Sequence, residues 1–154
     1  MKTNNTVLPV LFILVVLGAL GIDIFLPSFP NMMEYFQVNK SQIQLTISVY
    51  ILFYGIGQLL IGGYSDKKGR RASALIGTGL YLTGSIIGAS SNEFNLLLAG
   101  RAFQGLGGAS TTVSAMAWVR ENYSQKESVK WLSYMVGAIG IVPAFAPFIG
   151  SALA

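Results

Sequence analysis

The sequence predicts an all-α membrane protein, and three observations lead there. Of its 154 residues, 53% are hydrophobic and only 10% are charged, against roughly 25% charged in an ordinary soluble domain. Five apolar runs are each long enough to cross a hydrocarbon core about 30 Å thick, which takes about 20 helical residues at 1.5 Å rise. The cations gather at the ends of those runs instead of forming a stripe, so the net charge of +4 reports membrane topology and not a nucleic-acid surface.

In order, the predicted spans are 7–28, 43–63, 72–90, 95–119 and 131–153. The first follows Lys2 and contains Ala19-Leu-Gly21, a passable signal-peptidase site. Four further spans follow, however, and the run continues through Phe25 and Leu26, so it reads as an uncleaved helix. Orientation follows from lysine and arginine. A cytoplasmic N-terminus puts Lys2, Lys67, Lys68, Arg70, Arg71, Arg120, Lys126 and Lys130 inside and leaves Lys40 outside. External loops then fall at 31–42 and 91–94, and the longest internal loop at 120–130. Small residues spaced along the spans (Gly84 with Gly88, Gly105 with Ala109, Gly137 with Gly140) predict close helix packing in lipid.

There is no cysteine and no histidine, so thiol chemistry and the common neutral-pH titrating group are absent. Nor is there a nucleophile–base pair, metal cluster or phosphate loop, and the expectation is a non-enzyme without a cofactor. Two ionisable residues fall inside spans: Asp23, late in the first, and Arg101, early in the fourth. Both lie about 9 Å below the outer boundary, counted at 1.5 Å per residue. Each costs roughly 2.5–3.5 kcal/mol to insert. They are either a structural ion pair, two separately solvated groups, or a proton or ion relay lining a cavity. Tyr50, Tyr54 and Gln58 fall on one face of the second span, and Arg101, Gln104, Gly108 and Thr112 on one face of the fourth, as a cavity lining would. Tyr50 also suits an interfacial anchor.

Between the second and third spans lies Gly62-x-x-x-Asp66-x-x-Gly69-Arg70-Arg71. Gly62 is expected to end the second helix against a neighbour, Gly69 to allow a tight turn, and the cations to hold the hairpin in the cytoplasm. This spacing resembles the signature loop of the major facilitator superfamily. Leu97-x-x-x-Arg101-x-x-Gln104-Gly105-x-Gly107-Gly108-Ala109 is similar to its fourth-helix motif, and Asp23-x-x-x-Pro27-x-x-Pro30 to the first-helix signature of its drug/proton antiporters. Gly140-x-x-Pro143-x-x-x-Pro147-x-x-Gly150 resembles the fifth-helix antiporter motif without its adjacent glycine–proline pair. The combination looks most like the Bcr/CflA-type multidrug exporters.

That resemblance implies a major-facilitator-type N-terminal bundle of five helices, incomplete, from a family of two six-helix halves built of inverted three-helix repeats. It implies efflux of small amphipathic or cationic drugs across a bacterial inner membrane, driven by the proton gradient. Asp23 would exchange a proton against substrate, and Arg101 would favour its ionised form when paired with it and release it when separated. Asp66 and Arg70 would gate the cytoplasmic side against the missing C-terminal half, supported by Gly62 and Gly69. Lacking that half, these residues alone are expected not to transport. A nutrient or sugar symporter of the same fold, or a five-helix membrane scaffold, are the alternatives. The expected partners are a small-molecule substrate, protons and the lipid bilayer, with no nucleic acid.

Overall fold

A computed structural model describes residues 5–153, with the side chains of 6–146 and of 148. Lys2 lies outside the described residues. Every regular element described is helical: α1 (Leu8–Asp23), α2 (Phe29–Tyr35), α3 (Lys40–Lys68), α4 (Arg70–Ala89), α5 (Phe94–Asn122) and α6 (Gln125–Leu153).

The first span is not one rod. α1 ends at Asp23, a 3-10 turn covers Leu26–Ser28, and α2 starts at Phe29 and runs into the segment expected as an external loop. Pro27 and Pro30 cause this. Neither has an N–H, and each ring clashes with the carbonyl four residues back, so α1 cannot continue through them. α3 begins at Lys40, ahead of the span predicted from residue 43, because Asn39 and Gln42 form a capping box, each side chain bonding the other's backbone N–H at 2.9 Å. It then runs past Gly62 to Lys68. Gly62 therefore does not end the helix, and nothing lies within 4 Å of it. The ten-residue hairpin contracts to Gly69 alone, whose φ of +92° suits a residue without Cβ.

The internal loop expected at 120–130 is likewise mostly helix. Ser124 and Glu127 cap α6: the serine hydroxyl donates to the carboxylate at 2.6 Å, and the carboxylate accepts from the Ser124 backbone N–H at 3.2 Å. This is the Ser-x-x-Glu pattern of a helix start.

α5 is the hub, packed against α4, α3 and α1. Paired positions fix the directions. Ser73 meets Ser110, Gly77 meets Gly107, and Gly84 meets Gly100, so α4 and α5 are antiparallel. Thr46 meets Arg101 and Gly57 meets Ala109, so α3 runs parallel to α5. Contact at Gly84 is the tightest kind: a Cβ there would lie 2.5 Å from the Gly100 carbonyl oxygen. Gly88 is looser, at 3.7 Å from the nearest atom, and Gly137 and Gly140 have nothing within 4 Å. Among the described residues those two lie on the exposed face of α6 and pack against no other helix.

Among the described residues, four helical stretches are long and apolar enough to cross a membrane: 8–35, 40–68, 70–89 and 125–146. α5 has the length but not the composition. It buries Arg101, Ser110, Thr111, Thr112 and Ser114 among its neighbours, and a helix shielded by others needs no lipid-facing surface. At the lysine- and arginine-rich end, α1, α5 and α6 close over Leu8, Leu11, Val15, Val119 and Met135. Trp118, Tyr123, Trp131 and Tyr134 form a chain of ring contacts at that end, the amphipathic girdle expected at a headgroup boundary.

Candidate functional site

Asp23 is the last residue of α1 and is half-buried. It borders a cavity of about 410 Å³ between α1, α3 and α6, lined by Val15, Gly18, Ile22, Tyr54, Ile139 and Pro143. Among the described residues its carboxylate has no hydrogen bond and no ion pair. The walls are aliphatic apart from the Tyr54 phenol. Pro143 lacks an N–H, so the Ile139 carbonyl loses its helical donor in this same wall. An acid, a phenol and a freed carbonyl on apolar walls, at a volume typical of small-molecule sites, suit an amphipathic molecule with a positive end.

In this structure Arg101 is not paired with Asp23, which is the separated arrangement among those the sequence leaves open. Its Nη2 donates to the Gly21 carbonyl at 2.5 Å, Nη1 to Gln104 Oε1 at 2.8 Å and Nε to the Thr46 carbonyl at 3.4 Å. Its guanidinium carbon lies 4.5 Å from the Phe25 ring centroid and 4.7 Å from that of Tyr50, within cation–π range. Gln104 passes the network on, its amide nitrogen donating to Ser85 Oγ at 2.9 Å. The reason for the separation is the end of α1. Where a helix stops, its last carbonyls have no intrahelical partner, and the guanidinium reaches those of the last turn before it could reach the side chain of Asp23. Arg101 and Gln104 line a second cavity, with Gly21, Phe25, Tyr81 and Ser85, that shares no residue with that of Asp23. The two charged groups lie at one level of the bundle but on different faces of α1.

The polar stripes divide in the same way. Tyr50 is fully buried, and its hydroxyl donates to the Gly18 carbonyl at 2.6 Å. It is neither a cavity wall nor an interfacial anchor; it locks α3 to α1. Tyr54 reaches the Asp23 cavity, whereas Gln58 is exposed and lines neither chamber. On α5, Gly108 is sealed under the Tyr50 hydroxyl and Thr112 lies against Gly18, so only Arg101 and Gln104 of that stripe open to a cavity. Of the fifth-helix motif, Pro143 borders the Asp23 cavity and Gly140 is exposed. The side chains of Pro147 and Gly150 lie outside the described residues.

At the other end, Arg70 joins three helices. Its Nη2 lies 2.5 Å from Asp66 and 2.6 Å from Glu121, and its Nε donates to Glu121 at 3.0 Å. Glu121 lies in the last turn of α5 and was not singled out by the sequence motif. Its signal was an acid in the last turn of the helix antiparallel to α4, next to Arg120. The hydrogen bonds to Glu121 hold the Arg70 guanidinium firmly in its charged form. Asp66 stays largely exposed, and Arg71 is exposed.

A family profile described as Major Facilitator Superfamily matches residues 11–154. The chain is 34% identical over 140 residues to an uncharacterised MFS-type transporter, YdgK, of Bacillus subtilis (strain 168), covering 91% of this chain and 35% of the relative. It is 32% identical over 139 residues to the multidrug resistance protein MdtL of Salmonella schwarzengrund, covering 90% of this chain and 35% of the relative. MdtL of Salmonella paratyphi C matches to the same extent. The chain thus spans about a third of the length of these relatives. A family match that covers nearly the whole chain shows that it belongs to the major facilitator superfamily.

Proposed function

We propose that the chain is the N-terminal part of a proton-coupled exporter of small amphipathic or cationic drugs, of the Bcr/CflA type, in a bacterial inner membrane with its N-terminus in the cytoplasm. The observation that carries this is Asp23: an acid without a partner on the wall of an apolar cavity of about 410 Å³. The kinship with proteins named for multidrug resistance supports the cargo class.

Asp23 holds a proton when the cavity is empty of cation and yields it when a cationic substrate takes its place. Desolvation makes the lone carboxylate unfavourable, and an incoming positive charge removes that penalty, so one site serves proton and drug in turn. Tyr54 and the wall formed by Ile139 and Pro143 contact the substrate. Gln58 contributes from the exposed face of α3, which in the longer protein faces the remaining helices. Arg101 and Gln104 act indirectly: they fix the broken end of α1 and therefore the position of Asp23. Asp66, Arg70 and Arg71, with Gly69 as the turn and Gly62 as an open surface of α3, form the cytoplasmic gate against the rest of the transporter.

The test is efflux of a fluorescent lipophilic cation in everted vesicles carrying the intact transporter. Asp23→Asn is expected to abolish transport driven by a pH gradient. Undiminished pH-driven efflux in that variant would remove the assignment.

A further inference from the structure

The Arg101 chamber has a charge imbalance that the transport reading does not use. Arg101 is 3% exposed, and its three hydrogen-bond partners are two backbone carbonyls and one amide, all neutral. A guanidinium has five N–H donors, so two are left over. The cavity beside it, about 220 Å³, is also bordered by Tyr81, Ser85 and Gln104, and no carboxylate lines it. Among the described residues the Tyr81 hydroxyl has no hydrogen bond, and the Gln104 amide, with two N–H groups, makes one donor contact, to Ser85. The space is therefore positive, with N–H and O–H donors left unused beside it. A buried cation held only by neutral groups keeps most of its desolvation penalty.

We propose that this chamber binds a small monovalent inorganic anion, chloride among those available to a cell. Its volume exceeds that of several waters at about 30 Å³ each, enough for such an ion with part of its hydration. An access path is visible as well. Met32, Gly88, Ala89 and Leu97 border both this cavity and a half-polar groove of about 510 Å³ at the end of the bundle opposite the arginine cluster. The groove lies between α2 and the turn joining α4 to α5, and the Tyr35 hydroxyl donates to Asn92 across it at 3.2 Å. An anion would enter there, pass the neck and accept hydrogen bonds from Arg101, Tyr81 and Gln104. The site lies across α1 from Asp23 and stands whether or not the chain belongs to a drug exporter.

The test uses the intact protein in lipid nanodiscs, with melting temperature followed as chloride or bromide replaces gluconate at constant ionic strength. A saturable rise with chloride and with bromide is expected. Tyr81→Phe removes one donor and little volume, so it should fold like the wild type. Losing a hydrogen bond to a charged group weakens binding by about tenfold or more, so its half-saturating chloride concentration should rise by at least that factor. Chloride and gluconate curves that superimpose would mean the cavity holds water alone and would overturn the proposal. So would an unchanged half-saturation in Tyr81→Phe.

Discussion

Arg101 donates to the carbonyl of Gly21 at 2.5 Å, across the helix interface and two residues before Asp23. The same last turn of α1 therefore offers its backbone to the arginine on one face and its acid to an apolar cavity on another. This makes Arg101 a brace for the end of α1. Lysine keeps the charge but not the planar fork, and cannot serve three separate acceptors in this geometry. Arg101→Lys is expected to destabilise the protein by roughly 2–4 kcal/mol, the scale of losing one or two charge-assisted hydrogen bonds. A thermal melt in detergent micelles would read it. A melting temperature equal to wild type would mean that the three contacts are dispensable.

Two tyrosines one turn apart should separate in function. Tyr50 is buried and bonded to Gly18, whereas Tyr54 borders the Asp23 cavity. Tyr50→Phe should lower stability by about 1 kcal/mol, the net worth of one hydrogen bond, and leave substrate preference alone. Tyr54→Ala should change the relative KM values of different cationic dyes. A reversal of these effects would show that the cavity has been placed on the wrong face of α3.

Glycines on α4 provide a signed comparison. A Cβ on Gly84 meets the Gly100 carbonyl at 2.5 Å, and one on Gly79 meets nothing within 4 Å. Gly84→Ala is expected to cost about 1–3 kcal/mol through overpacking. Gly79→Ala should be neutral, or stabilising by up to about 1 kcal/mol through helix propensity. Parallel melts of the two variants check both signs.

The cytoplasmic cluster predicts coupling between Arg70 and Glu121. A double-mutant cycle with Arg70→Gln and Glu121→Gln should give an interaction of about 1 kcal/mol, since the acid is half exposed and solvent screens the pair. The cycle between Arg70 and Asp66 should give less, because Asp66 is 65% exposed. A double variant whose loss equals the sum of the two single losses would mean that Arg70 and Glu121 are not coupled and that Arg70 does not tie α4 to α5 through this pair.

The helices were legible in the sequence because apolar runs of the right length have few alternatives, and their order followed from the runs themselves. Their ends were less so, because hydropathy marks the hydrocarbon and not the helix. Lys40, Lys68 and Asn122 are helical yet polar. The true boundaries were written in capping patterns, Asn39 with Gln42 and Ser124 with Glu127, and in Pro27 and Pro30, which break the first span. Asp23 could be chosen from the sequence because an acid in a span is costly. The partners of Arg101 could not, because backbone carbonyls carry no residue signature. Nor could the burial of Tyr50 against the openness of Tyr54, since residues one turn apart share a face until a neighbouring helix covers one of them.

The central claim is that Asp23 carries the proton exchanged for substrate, and the most direct measurement is proton release on binding. Purified intact transporter in a weakly buffered solution with a pH-sensitive dye should release about one proton per molecule of lipophilic cation bound. The amount should fall as the starting pH rises and Asp23 is already ionised. Asp23→Asn should still bind the cation, more weakly, and release none. Proton release of wild-type size in Asp23→Asn would place the coupling group elsewhere and contradict the account.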